Sequence, residues 1–156
     1  MPTTAQRRTA TADVTEEQLV NRASVDRDGT RHISEVFRAL AQARHVSLTT
    51  YGDDGTPVAT PVRMAMDGAR MYVQTAPDSA HLARIRRTAT VEVAPCRARG
   101  RVTGAPIPAV AWVVEGGEAD LGARLLYRKY RWHRRLGRLL AARRDKATVI
   151  LKIVPA

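Results

Sequence analysis

The densest group of residues able to do chemistry is the run His81-Leu82-Ala83-Arg84-Ile85-Arg86-Arg87, with Ser79 just ahead of it. Guanidinium forks and the amides of a helix start both bind phosphate well. Ser79, His81, Arg84, Arg86 and Arg87 are therefore the candidate anion site, and the alternative for the arginines is a solvated helix face. Farther on, Tyr127, Tyr130, Trp132 and His133 cluster in a basic stretch. Tyr130 or His133 has the chemistry of a proton donor, although such residues more often serve as packing or interface anchors. No nucleophile with an adjacent base is visible, and no Cys/His cluster has zinc-ligand spacing, so no metal is expected.

The elements that must position these groups follow from periodicity. Residues Val46 to Thr75 read as three strands divided by turns at Asp53-Asp54-Gly55 and Asp67-Gly68, the second a tight primed hairpin turn. Pro57 and Pro61 lack amide donors, which points to an edge or a bent strand. Asp78 or Ser79 would cap a helix containing Leu82 and Ile85. Thr90 onward gives a fourth strand. Arg97, Arg99 and Arg101, two apart, would share one face of an extended chain. Pro108 to Val114 gives a fifth strand, and residues 147–154 a last one.

Two helices complete the reading. Ser34 reads as the N-cap of an amphipathic helix, EVFRALAQAR, with Val36, Phe37 and Leu40 on its apolar face. From Leu121 to Arg144 a long basic helix carries a leucine stripe, and arginines crowd the rest. Residues 1–30 are a flexible N-terminal arm, poorest in apolar pattern up to about Val14, and residues 31–156 are the folded domain.

A chain of 156 residues holds about one domain. With 26 Lys and Arg against 15 Asp and Glu, the net charge of +11 favours polyanionic or phosphorylated partners. Cys96 is the single cysteine and reads as a small buried residue, so no disulfide and no oxidising compartment is needed. With no apolar run near the roughly 18 residues of a membrane span, the expectation is a soluble cytoplasmic protein without a membrane partner.

The succession VSLTTYGDDGTPVATPVRMAMDGARMYVQT, then S-A-x-x-x-R-I-R-R, VEVAPCRARGRVTG and LLYRKYRWHRRL resembles the pyridoxamine-phosphate-oxidase-like proteins. It looks most like their actinobacterial branch that uses the deazaflavin coenzyme F420. The match runs in order from about Phe37 to Val154. The resemblance implies a mainly β fold with helices, a six-stranded antiparallel split β-barrel that forms a homodimer, with the cofactor in a groove where the subunits meet. It also implies hydride transfer between the reduced deazaflavin and an unsaturated small-molecule acceptor. The coenzyme supplies the difficult electronics, and the protein binds, orients and excludes water.

On that resemblance, Thr50, Thr60 and Thr75 would offer hydroxyls to the cofactor ring or phosphate, and the backbone at Pro61-Val62 would meet the ring edge. Ordinary strand threonines are the plain alternative. His81 stands where many relatives carry Lys. A neutral imidazole binds phosphate less firmly than an ammonium group and makes binding depend on pH. Arg63 replaces an aromatic residue common in relatives, which would alter the acceptor site or add an anion contact.

FMN is the alternative cofactor on the same fold, and a non-catalytic cofactor-binding protein is an alternative to an enzyme. Nucleic-acid binding is the remote alternative. A basic helix reads the major groove only when a rigid scaffold aims it outward, and the chain carries no helix-turn-helix, RNP or zinc signature.

Overall fold

The computed structural model describes residues 35–131 and 147–156. The expected N-terminal arm, the Ser34 cap, Trp132, His133 and all of the second half of the basic helix lie outside the described residues.

Alternation of apolar and polar residues, with turns at the expected places, produces six strands: β1 (His45–Tyr51), β2 (Pro57–Asp67), β3 (Arg70–Thr75), β4 (Thr90–Cys96), β5 (Ile107–Val114) and β6 (Val149–Pro155). Every pairing is antiparallel, and the order β1-β2-β3-β6-β5-β4 closes a barrel. The fold is the expected mainly β six-stranded split barrel. The split lies in β2. Residues Pro57 to Arg63 pair with β1, and Met64 to Asp67 pair with β3. Pro57 and Pro61 thus lie where β2 has a strand on one side only, as prolines in a sheet require.

The first hairpin turn forms as expected, with Gly55 in the left-handed region and the Asp54 carboxylate accepting the Thr56 N–H at 3.0 Å. The second is shifted by one residue from the sequence reading. Asp67 pairs with Arg70, so Gly68 and Ala69 form the turn, and the positive φ of 58° falls on Gly68. The glycine, and not the aspartate before it, dictates the register, because it alone adopts that conformation at no steric cost.

The barrel interior holds Val46, Leu48, Val62, Met64, Met71, Val73, Val91, Val93, Leu151 and Ile153, with Ala109 and Ala111 making room where β5 passes. Residues 35–39 are helical and pass into a 3-10 turn at Leu40–Gln42 that sends Phe37 and Leu40 into this core. Val36, expected on the same apolar face, is exposed.

Helix α1 (Ala80–Arg87) buries Leu82 and Ile85 in the barrel core. Helix α2 (Gly116–Lys129) lies outside, where Leu126 joins Ala65, Tyr72, Val114 and Ile150 in a second apolar cluster. Glu118 at its start accepts a hydrogen bond from Tyr72 at 3.1 Å and pairs with Lys152 of β6. The expected basic helix therefore begins five residues earlier than Leu121, at Gly116, and its regular part ends at Lys129. The next residue, Tyr130, has its side chain tied to the sheet. No helix among the described residues is long and apolar enough to cross a membrane.

Candidate functional site

Helix α1 organises one end of the barrel. The chain leaves β3 at Thr75, turns through Ala76 to Ser79, and starts the helix at Ala80, with the Ser79 N–H on the Ala76 carbonyl at 3.1 Å. Ser79 occupies the N-cap, but its side chain makes no capping bond. Instead the Thr75 hydroxyl donates to the Ser79 hydroxyl at 2.9 Å, and His81 Nε2 lies 2.6 Å from Thr75 Oγ1. The amides of Ala80, His81 and Leu82 lie in the first turn, where a helix offers no acceptor of its own. Burial and the neighbouring Arg84 guanidinium push the His81 imidazole below its usual range, which keeps it neutral at pH 7.

Arg84, three residues on and therefore on the same side of α1, donates from Nε to the buried Thr50 hydroxyl at 2.8 Å. Thr50 and Thr75 thus tie α1 to β1 and β3. Arg87 reaches the other way and pairs with Asp53 at 2.6 Å on an exposed surface, and Arg86 is exposed. Of the candidate anion residues, Ser79, His81 and Arg84 meet at the helix start with Thr75 and Thr50. Arg87 has a carboxylate partner in the first turn of the barrel, so it takes the plainer role of a surface ion pair.

The candidates on β2 divide between its two faces. Thr60 pairs with Leu48 and Val62 with Val46, so both lie on the core side, and Val62 is buried. Pro61 and Arg63 lie on the outer side with Ser47 and His45. His45 starts β1 and Thr50 is its penultimate residue, five residues or about 17 Å away at the usual rise. The structure therefore brings Thr50, Thr75, Ser79, His81 and Arg84 together and sets Arg63 near the opposite end.

At that end Arg44, His45, Arg63, Cys96, Arg97 and Tyr130 line a cleft of about 380 Å³. The Arg63 guanidinium lies 5.5 Å from the centre of the Tyr130 ring. The Tyr130 hydroxyl is engaged by backbone: it lies 2.6 Å from the Arg44 carbonyl and 2.8 Å from that of Met64, and it accepts the Met64 N–H at 3.0 Å. Burial raises its pKa. These contacts are those of an anchor. Beside it, Lys129 Nζ donates to the carbonyls of Ala43 at 2.6 Å and Ala41 at 3.2 Å, and burial lowers the pKa of that ammonium group.

Arg97, Arg99 and Arg101 do not form the extended cationic face expected from their spacing. The Arg97 N–H bonds the Arg101 carbonyl at 3.0 Å and Gly100 N–H the Arg97 carbonyl at 2.8 Å, with Gly100 at a φ of 85°. Glycine at this position lets the chain fold into a turn that rests on Pro61. Arg44, Cys96 and Arg97 were not legible as a group, because the pairing of His45 with both Arg63 and Cys96 joins three strands distant in sequence.

Residues 32–156 match the family model described as pyridoxamine 5'-phosphate oxidase. The chain belongs to that family. Solved structures agree on the fold. A general stress protein 26 from Bacillus anthracis is 18% identical over 80% of this chain and 89% of its own, with a TM-score of 0.55. A FAD-binding protein from Mesorhizobium loti is 18% identical over 78% and 85%, with a TM-score of 0.52. The haem storage protein HutZ from Vibrio cholerae is 12% identical over 83% and 89%, with a TM-score of 0.54. At these identities the likeness carries the barrel of the family and no ligand. None of the curated proteins matches the sequence.

Proposed function

We propose that this member of the pyridoxamine 5'-phosphate oxidase family is a homodimeric oxidoreductase that binds coenzyme F420, with FMN the alternative. In this reading it transfers a hydride between the reduced deazaflavin and an unsaturated small-molecule acceptor. The observation that carries the reading is the donor set at the start of α1, where Thr75, Ser79, His81 and Arg84 converge with the first-turn amides. Hydroxyls, helix amides and a guanidinium suit a phosphodiester, and a short helix packed into the barrel mouth holds them without further ordering.

Bound there, the coenzyme supplies the hydride chemistry. The residues of this chain do the rest. Thr50 fixes the Arg84 guanidinium by accepting from Nε. Thr75 fixes His81, so that ring and hydroxyl face a phosphate together. The open edge of β2, from Pro57 to Val62, with Val58 exposed, supports a ring lying against Pro61-Val62 and a second copy of the chain covering it.

Titration of the purified protein with F420 and with FMN, followed by fluorescence, tests the proposal. Micromolar binding of one of them is expected, and a folded protein that binds neither ends the redox reading. Anaerobic multiple-turnover assays then separate an enzyme from a carrier, and light scattering reads the dimer.

A further inference from the structure

We infer that the cleft between Arg44, Arg63 and Arg97 is a second anion site, independent of the α1 cluster, that takes a compact ligand with at least two anionic groups. Three guanidinium-bearing residues line it, and no described lining residue is a carboxylate. The ion pairs among the described residues are Arg87 with Asp53 and Lys152 with Glu118, so none of the three arginines is neutralised by a described acid. Gathering like charges around one small cleft is unfavourable unless an anion is shared among them. A volume of about 380 Å³ is near the low end for small-molecule sites, which fits a small polyvalent anion better than a nucleotide.

The backbone that carries these cationic groups is held in place before any ligand arrives. The Tyr130 hydroxyl, pinned between Arg44 and Met64, fixes the Arg44 backbone and sets the ring over which Arg63 lies. Arg97 opens a closed turn, and a Cβ added at Gly100 of that turn would lie 3.6 Å from the ring of Pro61, two residues before Arg63. Rigid presentation lowers the ordering cost of binding, and guanidinium forks match the planar oxygens of carboxylates and phosphates. Cys96 completes the wall, and burial raises its pKa, so it stands there as a neutral thiol that does not repel an anion.

Because Cys96 is the single cysteine, alkylation is confined to the wall of this cleft, and the cleft substitutions below separate an anion bound here from one bound at α1. The experiment follows the rate of iodoacetamide labelling of the full chain, with no cofactor added, in pyrophosphate, in citrate, and in sodium chloride of matched ionic strength. Pyrophosphate or citrate at millimolar concentration is expected to slow labelling and chloride is not. The stronger of the two tells a phosphate ligand from a carboxylate ligand. Arg63→Gln and Arg97→Gln, both at exposed positions whose folding is checked by melting curves, are each expected to weaken the protection roughly tenfold. Arg124→Gln, on the exposed side of α2, leaves it unchanged. Protection matched by chloride, or undiminished in both cleft variants, overturns the inference whatever the outcome of the F420 titration.

Discussion

The Tyr130 hydroxyl takes the place of a rung in the ladder between β1 and β2, bonded to both the N–H and the carbonyl of Met64 at 3.0 and 2.8 Å. The last regular rung pairs His45 with Arg63. One step further the antiparallel register would join Arg44 to Met64, and the hydroxyl sits between these two, 2.6 Å from the Arg44 carbonyl. Met64 is also where β2 changes partner and begins to pair with β3. A side chain from the end of α2 thus satisfies the backbone groups exposed where the barrel splits.

Tyr130→Phe keeps the ring and removes that rung. The Met64 N–H and carbonyl are left part-buried without their partner, a loss of about 1 to 3 kcal/mol for such groups. The expected result is a lower urea midpoint at unchanged fold, with cofactor affinity preserved. Stability equal to wild type combined with slowed turnover would instead make Tyr130 a proton donor.

His81 gives the protein a pH dependence of definite sign. Its folded pKa is held below the unfolded value near 6.5 by burial and by Arg84. The unfolded chain therefore takes the proton more readily, and stability present above about pH 6.5 is lost as the pH falls through the folded pKa. Cofactor affinity moves the opposite way, since a protonated imidazole donates to phosphate and a neutral one does so less strongly. Fluorescence titrations between pH 5 and 8 should show tighter F420 binding in acid. His81→Lys should bind tightly across that range, and a flat wild-type profile would remove His81 from the site.

Much of this was legible in the residues themselves. Local signals fixed the six strands, the hairpin and α1, because alternation, Gly55, Gly68 and the Ser79 start each act within a few residues. What escaped depends on contacts between distant segments. The division of Thr60 and Val62 from Pro61 and Arg63 follows from strand period once β2 is known to flank the core, yet the grouping of Arg63 with Cys96 needs the β1–β4 pairing that closes the barrel. The end of α2 at Lys129 escaped as well. Nothing in the sequence around Tyr130 breaks a helix, and the tertiary bonds of its hydroxyl to Arg44 and Met64 are contacts with segments distant in sequence. The turn through Arg97 and Arg101 was hidden by an alternation that suited a strand equally well, and Gly100 was the residue to weigh.

Thr50→Val tests whether Arg84 is positioned for a ligand. Valine is close to threonine in size, but at this fully buried site it also removes the hydroxyl that donates to the Val58 carbonyl at 3.4 Å. The Arg84 Nε–H loses its acceptor at 2.8 Å, so the guanidinium is no longer held toward the helix start. Affinity for F420 or FMN is expected to fall by about tenfold, in line with one charge-assisted hydrogen bond, and the melting temperature is expected to fall as well, because a part-buried N–H loses its acceptor. An unchanged dissociation constant would mean that Arg84 acts only as packing around α1.

Gly122 is where α2 comes closest to the sheet. A Cβ added there would lie 2.8 Å from the Tyr72 ring and 2.9 Å from Ile150 Cγ2, closer than real contacts allow. Alanine gains about 1 kcal/mol of helix propensity over glycine, but forcing a methyl into a packed contact costs typically 1 to 3 kcal/mol. Here the cost wins, because the Tyr72 ring is fully buried and its hydroxyl is bonded to Glu118 of the same helix, which leaves it nowhere to turn. Gly122→Ala is therefore expected to lower stability by about 1 to 2 kcal/mol in urea unfolding. Gly117→Ala, on the same helix with open space around it, serves as the comparison and should be neutral or stabilising. If Gly122→Ala were as stable as Gly117→Ala, the close seating of α2 on Tyr72 would not hold in solution.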